Sequence, residues 1–231
     1  MPTTRHDLLS LITSRHSKRA FLERAVPRSV LTDVLEAAGH APSSRNTQLW
    51  QVEVVAGSAR ETLTHKLCEA FDRGDPPRPD CAGRPRTLEP RIEERTRDAD
   101  AGVLRARGAD GTADPGPAAR RELLRDNLRF YGAPVAMVFH LPDNAVSGTF
   151  LEMGFFVQNV MLGLVARGLG SCPQFSPARY ADVLRTALGI GKDRLVVCCL
   201  AAGYVDEAAP VNRFVPRRAR LEEYTRWHGW A

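Results

Sequence analysis

Lysine is nearly missing from this chain. Of 32 basic residues only Lys18, Lys66 and Lys192 are lysines, which leaves 29 arginines. A nucleic-acid binder gathers its positive charge on one face, with aromatic residues between the charges. Here 27 acidic residues are interleaved with the arginines, so a net charge of +5 does not point to DNA or RNA. Cysteine is also scarce. Cys68, Cys81, Cys172, Cys198 and Cys199 make an odd set with no C-x-x-C spacing, which excludes a disulfide framework and a structural zinc site. Cys198 and Cys199 stand in an apolar run and read as small core residues; Cys172, in a turn before a proline, reads as a structural thiol. The six histidines offer no H-x-x-x-H pair, so no metal is expected. There is no uninterrupted apolar run of about 18 residues, so no membrane helix is expected. Residues 1–7 lack the charged-then-apolar layout of a signal peptide, and a cytoplasmic location follows.

Catalytic signatures are missing too. Gly168-Leu169-Gly170 follows a helix instead of linking a strand to a helix, so it is neither a dinucleotide fingerprint nor a P-loop. No G-x-S-x-G nucleophile elbow occurs.

What remains is ordinary globular composition, 43% hydrophobic and 26% charged over 231 residues, which suits one large domain. Helical spacing of apolar residues predicts helices over 5–14, 28–39, 58–71, 120–131, 149–168, 177–188 and about 220–228. Val52, Val54 and Val55 mark a strand over 50–56; further strands are expected over 134–141 and 195–204. Residues 168–174 read as a turn. The helix at 149–168 carries apolar residues nearly all round and is expected to be buried on most sides. Between residues 72 and 118 the prolines at 76, 77, 79, 85, 90, 115 and 117 and many charges mark an excursion from the domain, with helix expected only over 91–107. From about residue 210 the chain loses periodicity and reads as a C-terminal arm. Helices flanking a few strands, without strict βαβ alternation, give an α+β fold.

Three polar clusters stand out. Arg15, Ser17 and Arg19 alternate, so in an extended segment they share one side while Lys18 points away. Two guanidiniums and a hydroxyl then offer forked donors to a phosphate. Ser43, Ser44, Asn46 and Gln48 form a loop ahead of the first strand; their amides and hydroxyls both donate and accept, as a planar heteroaromatic ring requires. Arg217 and Arg218 lie in the arm. The three clusters outline a binder for a molecule with one anionic end and one planar polar face.

The segments Arg15-His16-Ser17-Lys18-Arg19-Ala20-Phe21, Ala41-Pro42-Ser43-Ser44-Arg45-Asn46-Thr47-Gln48-Leu49-Trp50, Asn127-Leu128-Arg129-Phe130-Tyr131-Gly132-Ala133-Pro134 and Pro210-Val211-Asn212-Arg213-Phe214 make the chain resemble the FMN-dependent nitroreductase family. Within it, the chain is most similar to the bacterial nitrobenzene and nitrobenzoate reductase branch. The resemblance covers nearly the whole length. It implies a central, mostly antiparallel sheet flanked by helices, and an intertwined homodimer with FMN at the subunit interface. It also implies FMN contacts from Arg15, His16, Ser17 and Arg19, with Arg15 at the phosphate. Asn46 and Gln48 would bond the flavin and its ribityl chain, beside Ser43 and Ser44, and Arg217 and Arg218 would stand at the phosphate. Two departures are visible: Gln48-Leu49-Trp50 replaces the usual Gln-Pro-Trp, and Phe214-Val215-Pro216-Arg217-Arg218 replaces the usual Phe-Arg-Thr-Pro-Arg.

The implied activity is reduction of nitroaromatic or quinone-type acceptors by NADH or NADPH in a ping-pong cycle. No catalytic side chain is expected, because the cofactor carries the difficult chemistry. The small-molecule acceptor and a second copy of the chain are the expected partners. A second reading keeps the fold and FMN but makes the reaction a reductive dehalogenation or the dehydrogenation of a specialised metabolite. A third is a non-catalytic basic binding module.

Overall fold

The structure is a computed structural model that describes residues 8–108 and 116–230. Strand β1 (Gln51–Ala56) pairs with β2 (Val135–Pro142), β2 with β4 (Arg194–Gly203), and β4 with β3 (Gly170–Gln174), all antiparallel, in the order β1-β2-β4-β3. β2 is central and every residue but its last is buried. Its side chains alternate between two cores, as a pleated strand covered on both faces must. Ala136 and Val138 enter one core; Val135, Met137, Phe139 and Leu141 enter the other. On β4, Cys198 and Cys199 point to opposite cores, as small buried residues. The alternation slips once. Phe139 pairs with Cys198 but His140 pairs with Val196, so Val197 is an extra residue in a bulge.

Helices cover both faces. One core is closed by α3 (Gly57–Arg73), α5 (Gly116–Leu128) and α7 (Ala181–Leu188), through Leu63, Leu67, Leu128 and Leu184. Burying a leucine of this kind stabilises the fold by roughly 1.5–3 kcal/mol. The other is closed by α2 (Arg28–Ala38) and α6 (Ser147–Ala166). α2 buries Leu31, Val34 and Ala38, one stripe at helical spacing. It lies close against α6 because Gly163 has no side chain: a Cβ there would meet Val34 Cγ1 at 3.0 Å. Phe156 of α6 stacks on Trp50 with ring centres 5.0 Å apart and meets Phe139 edge-on.

Several expectations change. The predicted turn at 168–174 holds an edge strand, β3. Its glycine, serine, cysteine and proline show no period-two pattern, and its backbone pairing with β4 is what makes it a strand. Pro173 is tolerated because an edge strand has one side without a ladder partner. The helix expected over 91–107 is present, as the 17-residue α4 (Pro90–Ala106), which buries Gly102 and Val103. α5 begins at Gly116, ahead of the expected residue 120. Residues 5–7 of the first predicted helix lie outside the described residues, and α1 runs over Leu8–Ser14. The last helix shrinks to α8 (Leu221–Tyr224). α6 is less enclosed than its composition implied. It buries Met153, Phe156, Val157, Val160, Met161 and Leu164, yet Leu151 and Phe155 are exposed. Against the expectation of no membrane-length helix, α6 is long and apolar enough to cross a bilayer by length and composition, and its packing on α2 and the sheet accounts for that composition.

Candidate functional site

The first cluster lies where its alternation placed it, on an extended segment. Ser17 bridges Ser171 of β3 in parallel, and the Lys18 N–H donates to Ser171 O at 3.0 Å. The segment adds itself to the open edge of β3. Asn212, only 3% exposed, ties the other side. Its Oδ1 accepts from Arg19 N at 2.7 Å, and its Nδ2 donates to Ala20 O at 2.7 Å and Asp206 O at 2.9 Å. Lys18 turns away from Arg15 and Arg19, and its Nζ donates to Asn212 O at 3.1 Å. The segment is therefore clamped between a strand and the start of the arm.

Along this wall the charges are positive and uncompensated. Burial, followed by the neighbouring Arg218, pulls the Arg15 guanidinium below its usual pKa. Burial, followed by Lys18, Arg15 and Arg218, likewise lowers His16, which keeps it neutral near pH 7. Elsewhere arginines have carboxylates: Arg107 pairs with Asp126, Arg125 with Asp72 and Arg185 with Asp80. Among the described residues no such ion pair involves Arg15, Arg19 or Arg218. Like charges held together without an acid raise the free energy of the empty site and lower it when an anion arrives.

Beneath the arginines is a polar floor. Ser17 hydrogen-bonds Cys172, whose thiol burial pushes up, against the pull of Arg19, Arg15 and Arg107. Cys172 is 2% exposed, which fits a structural thiol. Gln174 Nε2 donates to Asn127 O and Oδ1 at 2.8 and 2.7 Å, and Asn127 Nδ2 donates to the Tyr131 hydroxyl at 2.7 Å. Burial, helped by Cys172, pushes the Tyr131 pKa up to about 12 against the pull of Arg19, so it stays protonated. Three buried polar atoms here have no partner: His16 Nδ1, Ser171 Oγ and Gln174 Oε1. Each buried orphan costs about 1–3 kcal/mol until a partner arrives.

The second cluster has a different character. Ser43, Ser44, Asn46 and Gln48 occupy an exposed loop beside α2 and α6. Arg45, Asn46 and Gln48 have φ of 51°, 60° and 47°, three left-handed residues without a glycine. Such strain persists only where the surroundings impose it. Here the Ser44 N–H donates to Glu152 Oε1 of α6 at 2.7 Å, and Gln48 N–H donates to Ser43 Oγ at 3.1 Å. Gln48 Nε2 donates to Asn46 Oδ1 at 2.7 Å. That contact leaves Gln48 Oε1 as an acceptor and Asn46 Nδ2 as a donor, one of each for a ligand. The loop lines a cavity of about 620 Å³, which the first cluster does not share. Arg19 lines a separate one of about 740 Å³ with Phe21, Tyr131 and Val211.

The third cluster stays together: Arg217 and Arg218 line one cavity of about 760 Å³ with Arg91, Arg95 and Glu223. The charge of Arg218 also bears on Arg15. Sequence reasoning missed Asn212, Tyr131 and Glu152 as site-building residues. Asn212 and Tyr131 stood inside the motifs already singled out; nothing local marks Glu152.

An antiparallel sheet between two helical layers, with an arginine wall on its open edge, is the architecture of a flavoprotein reductase. The Nitroreductase family profile matches residues 12–204, and the chain belongs to that family. It is 35% identical over 217 residues to the chloronitrobenzene nitroreductase of Comamonas testosteroni, covering 93% of this chain and 94% of that one. It superposes with a TM-score of 0.91 and 33% identity on the FMN and NADPH-dependent nitroreductase NfnB from sphigopyxis sp. strain HMH, covering 96% and 99% of the two chains. The FMN-dependent nitroreductase NfnB from Mycobacterium smegmatis, solved in complex with NADPH, gives a TM-score of 0.90 and 35% identity, covering 96% and 97%.

Proposed function

We propose that this chain is a cytoplasmic, FMN-dependent nitroreductase that uses NADH or NADPH to reduce nitroaromatic or quinone-type acceptors in a ping-pong cycle. The observation that carries the reading is the uncompensated arginine wall: the Arg15–Arg19 segment, bridged to Ser171, stands beside three orphaned buried polar atoms. That donor set fits a phosphate with a polar ring system next to it. Arg15 and Arg218 hold the phosphate, with His16 and Ser17 between the strands of the clamp. Arg19, steadied by Tyr131, reaches the pyrimidine end of the ring. Ser43, Ser44, Asn46 and Gln48 bond the ring and ribityl chain from the opposite side, and Arg217 stands at the rim beside Glu223. When bound, FMN supplies the hydride chemistry, and the protein supplies position and charge. Relatives acting on chloronitrobenzene and dependent on FMN and NADPH support the same assignment.

The two halves of this site sit on separate surfaces of one chain, which calls for a second copy. Exposed Leu8, Leu9 and Ile12 of α1, Leu151 and Phe155 of α6, and Tyr224, Trp227 and Trp230 near the end of the arm offer the apolar area that a homodimer buries. In such a dimer the arginine wall of one subunit faces the Ser43–Gln48 loop of the other.

Purification tests the reading. The protein should be yellow, with flavin absorbance at about 450 nm, and should oxidise NADPH when 4-nitrobenzoate is added. A colourless protein that stays colourless with added FMN removes it. Flavin that is reoxidised only by oxygen removes the nitroreductase activity and leaves the cofactor.

A further inference from the structure

A glycine in a helix interior is unfavourable unless packing requires it. Gly102 lies inside α4, is buried, and has such a requirement. A Cβ on Gly102 would stand 2.1 Å from Phe214 Cζ, 2.2 Å from Cε2 and 2.8 Å from Cε1. The tip of the Phe214 ring therefore rests on the bare backbone of α4. Phe214 belongs to the arm. Two residues before it, Asn212 ties the arm to Arg19 and Ala20. Beyond it, Glu223 accepts from Arg95 of α4 at 2.8 Å. Arg217 and Arg218 lie between the Phe214 and Glu223 anchors, and α4 supplies both anchors' partners. Arg217 and Arg218 line a cavity of about 760 Å³ together with Arg91, Arg95 and Arg105 of α4.

We infer that Gly102 and Phe214 are positioning residues that seat the arm on α4 and so hold Arg218 in place for phosphate binding. The inference rests on the proposed FMN reading. Its consequence is that α4, inside the variable-looking excursion, forms one unit with the phosphate site. A change in α4 is then felt as a change in cofactor retention.

The experiment compares FMN with riboflavin, which has the same ring and lacks the phosphate, by titrating each into stripped protein and following flavin fluorescence. Arg218→Ala tests the underlying reading and should weaken FMN but not riboflavin. Gly102→Ala should raise the FMN Kd about tenfold, the equivalent of 1.4 kcal/mol, and leave riboflavin within about twofold. Phe214→Leu, which removes the ring tip without adding bulk to α4, should show the same selective loss and serves if Gly102→Ala does not fold. If Arg218→Ala weakens FMN selectively while Gly102→Ala and Phe214→Leu leave FMN affinity unchanged, the inference fails and the reading stands. Equal weakening of both flavins by the α4 variants also overturns it, since that marks general disruption. If Arg218→Ala itself has no selective effect, the phosphate reading of the arm fails first.

Discussion

The wall at Arg15–Phe21 was singled out by the alternation of Arg15, Ser17 and Arg19, and the loop at Ser43–Gln48 by its polar residues ahead of a strand. Tertiary structure treats them in opposite ways. The wall is locked to β3, to Asn212 and, through Leu22 N–H to Tyr204 O at 2.9 Å, to the end of β4. The loop is exposed, strained at three residues, and tied to the rest of the chain by Glu152. The difference follows from charge. Guanidiniums without an acid must be held by force from neighbours that are themselves buried. Neutral amides can wait in water at little cost, provided the backbone already has the required shape. One region is therefore locked into the fold, and the other stays open to solvent.

Removing the lock should give the largest effect. Asn212→Ala deletes three buried hydrogen bonds and leaves Arg19 N–H, Ala20 O and Asp206 O without their partner, so it should destabilise the fold by about 3 kcal/mol or more. Urea unfolding reads this directly, and a loss under about 1 kcal/mol would mean that the clamp is dispensable. Next comes Arg15→Ala, expected to weaken FMN binding by about 1.5–3 kcal/mol, the worth of a charged hydrogen bond, with little change in unfolding. Flavin fluorescence titration measures it, and unchanged affinity discards the phosphate role.

Glu152→Ala addresses the loop instead. Global stability should fall by less than about 1 kcal/mol, since the broken bond is exposed. Flavin affinity should nevertheless drop, because Arg45, Asn46 and Gln48 lose the contact that maintains their left-handed backbone. If stability falls as far as in Asn212→Ala, the contrast between the two regions is wrong.

The smallest effect concerns pH. Burial lowers the folded-state pKa of His16, and burial, with Arg194 adding to it against Glu53, lowers that of His140. As pH falls below about 6.5 the unfolded chain takes up these protons first, so it binds more protons than the folded chain and stability is lost with acidification. A thermal melt series from pH 7.5 to 5 should show a declining Tm. The His16 share should shrink when a phosphate is bound, because an anion beside Arg15 and Arg218 favours the imidazolium. An NMR titration of His16 should therefore show a higher pKa with FMN than without; no change would place the phosphate elsewhere.

Much of this was readable in advance. The α+β class, three of the four strands and the helices on both faces followed from periodicity. The alternation of Arg15, Ser17 and Arg19, with Lys18 turned away, followed from the geometry of an extended chain. β3 was not readable, because Gly170-Ser171-Cys172-Pro173-Gln174 owes its strand character to its pairing with β4. Nor was the packing of α4, where Phe214 of the arm rests on the bare backbone of Gly102. Arg217 and Arg218 were legible as arm residues, but the cavity they share with Arg91, Arg95 and Glu223 was not.

By itself the sequence determined which residues could bind an anion and a planar ring, since residue type and local spacing decide donor geometry. Only the tertiary structure decided which of them meet. Contacts such as Asn212 with Arg19, Gln174 with Asn127 and Gly102 with Phe214 join segments remote along the chain, and their energy comes from burial that no local pattern encodes.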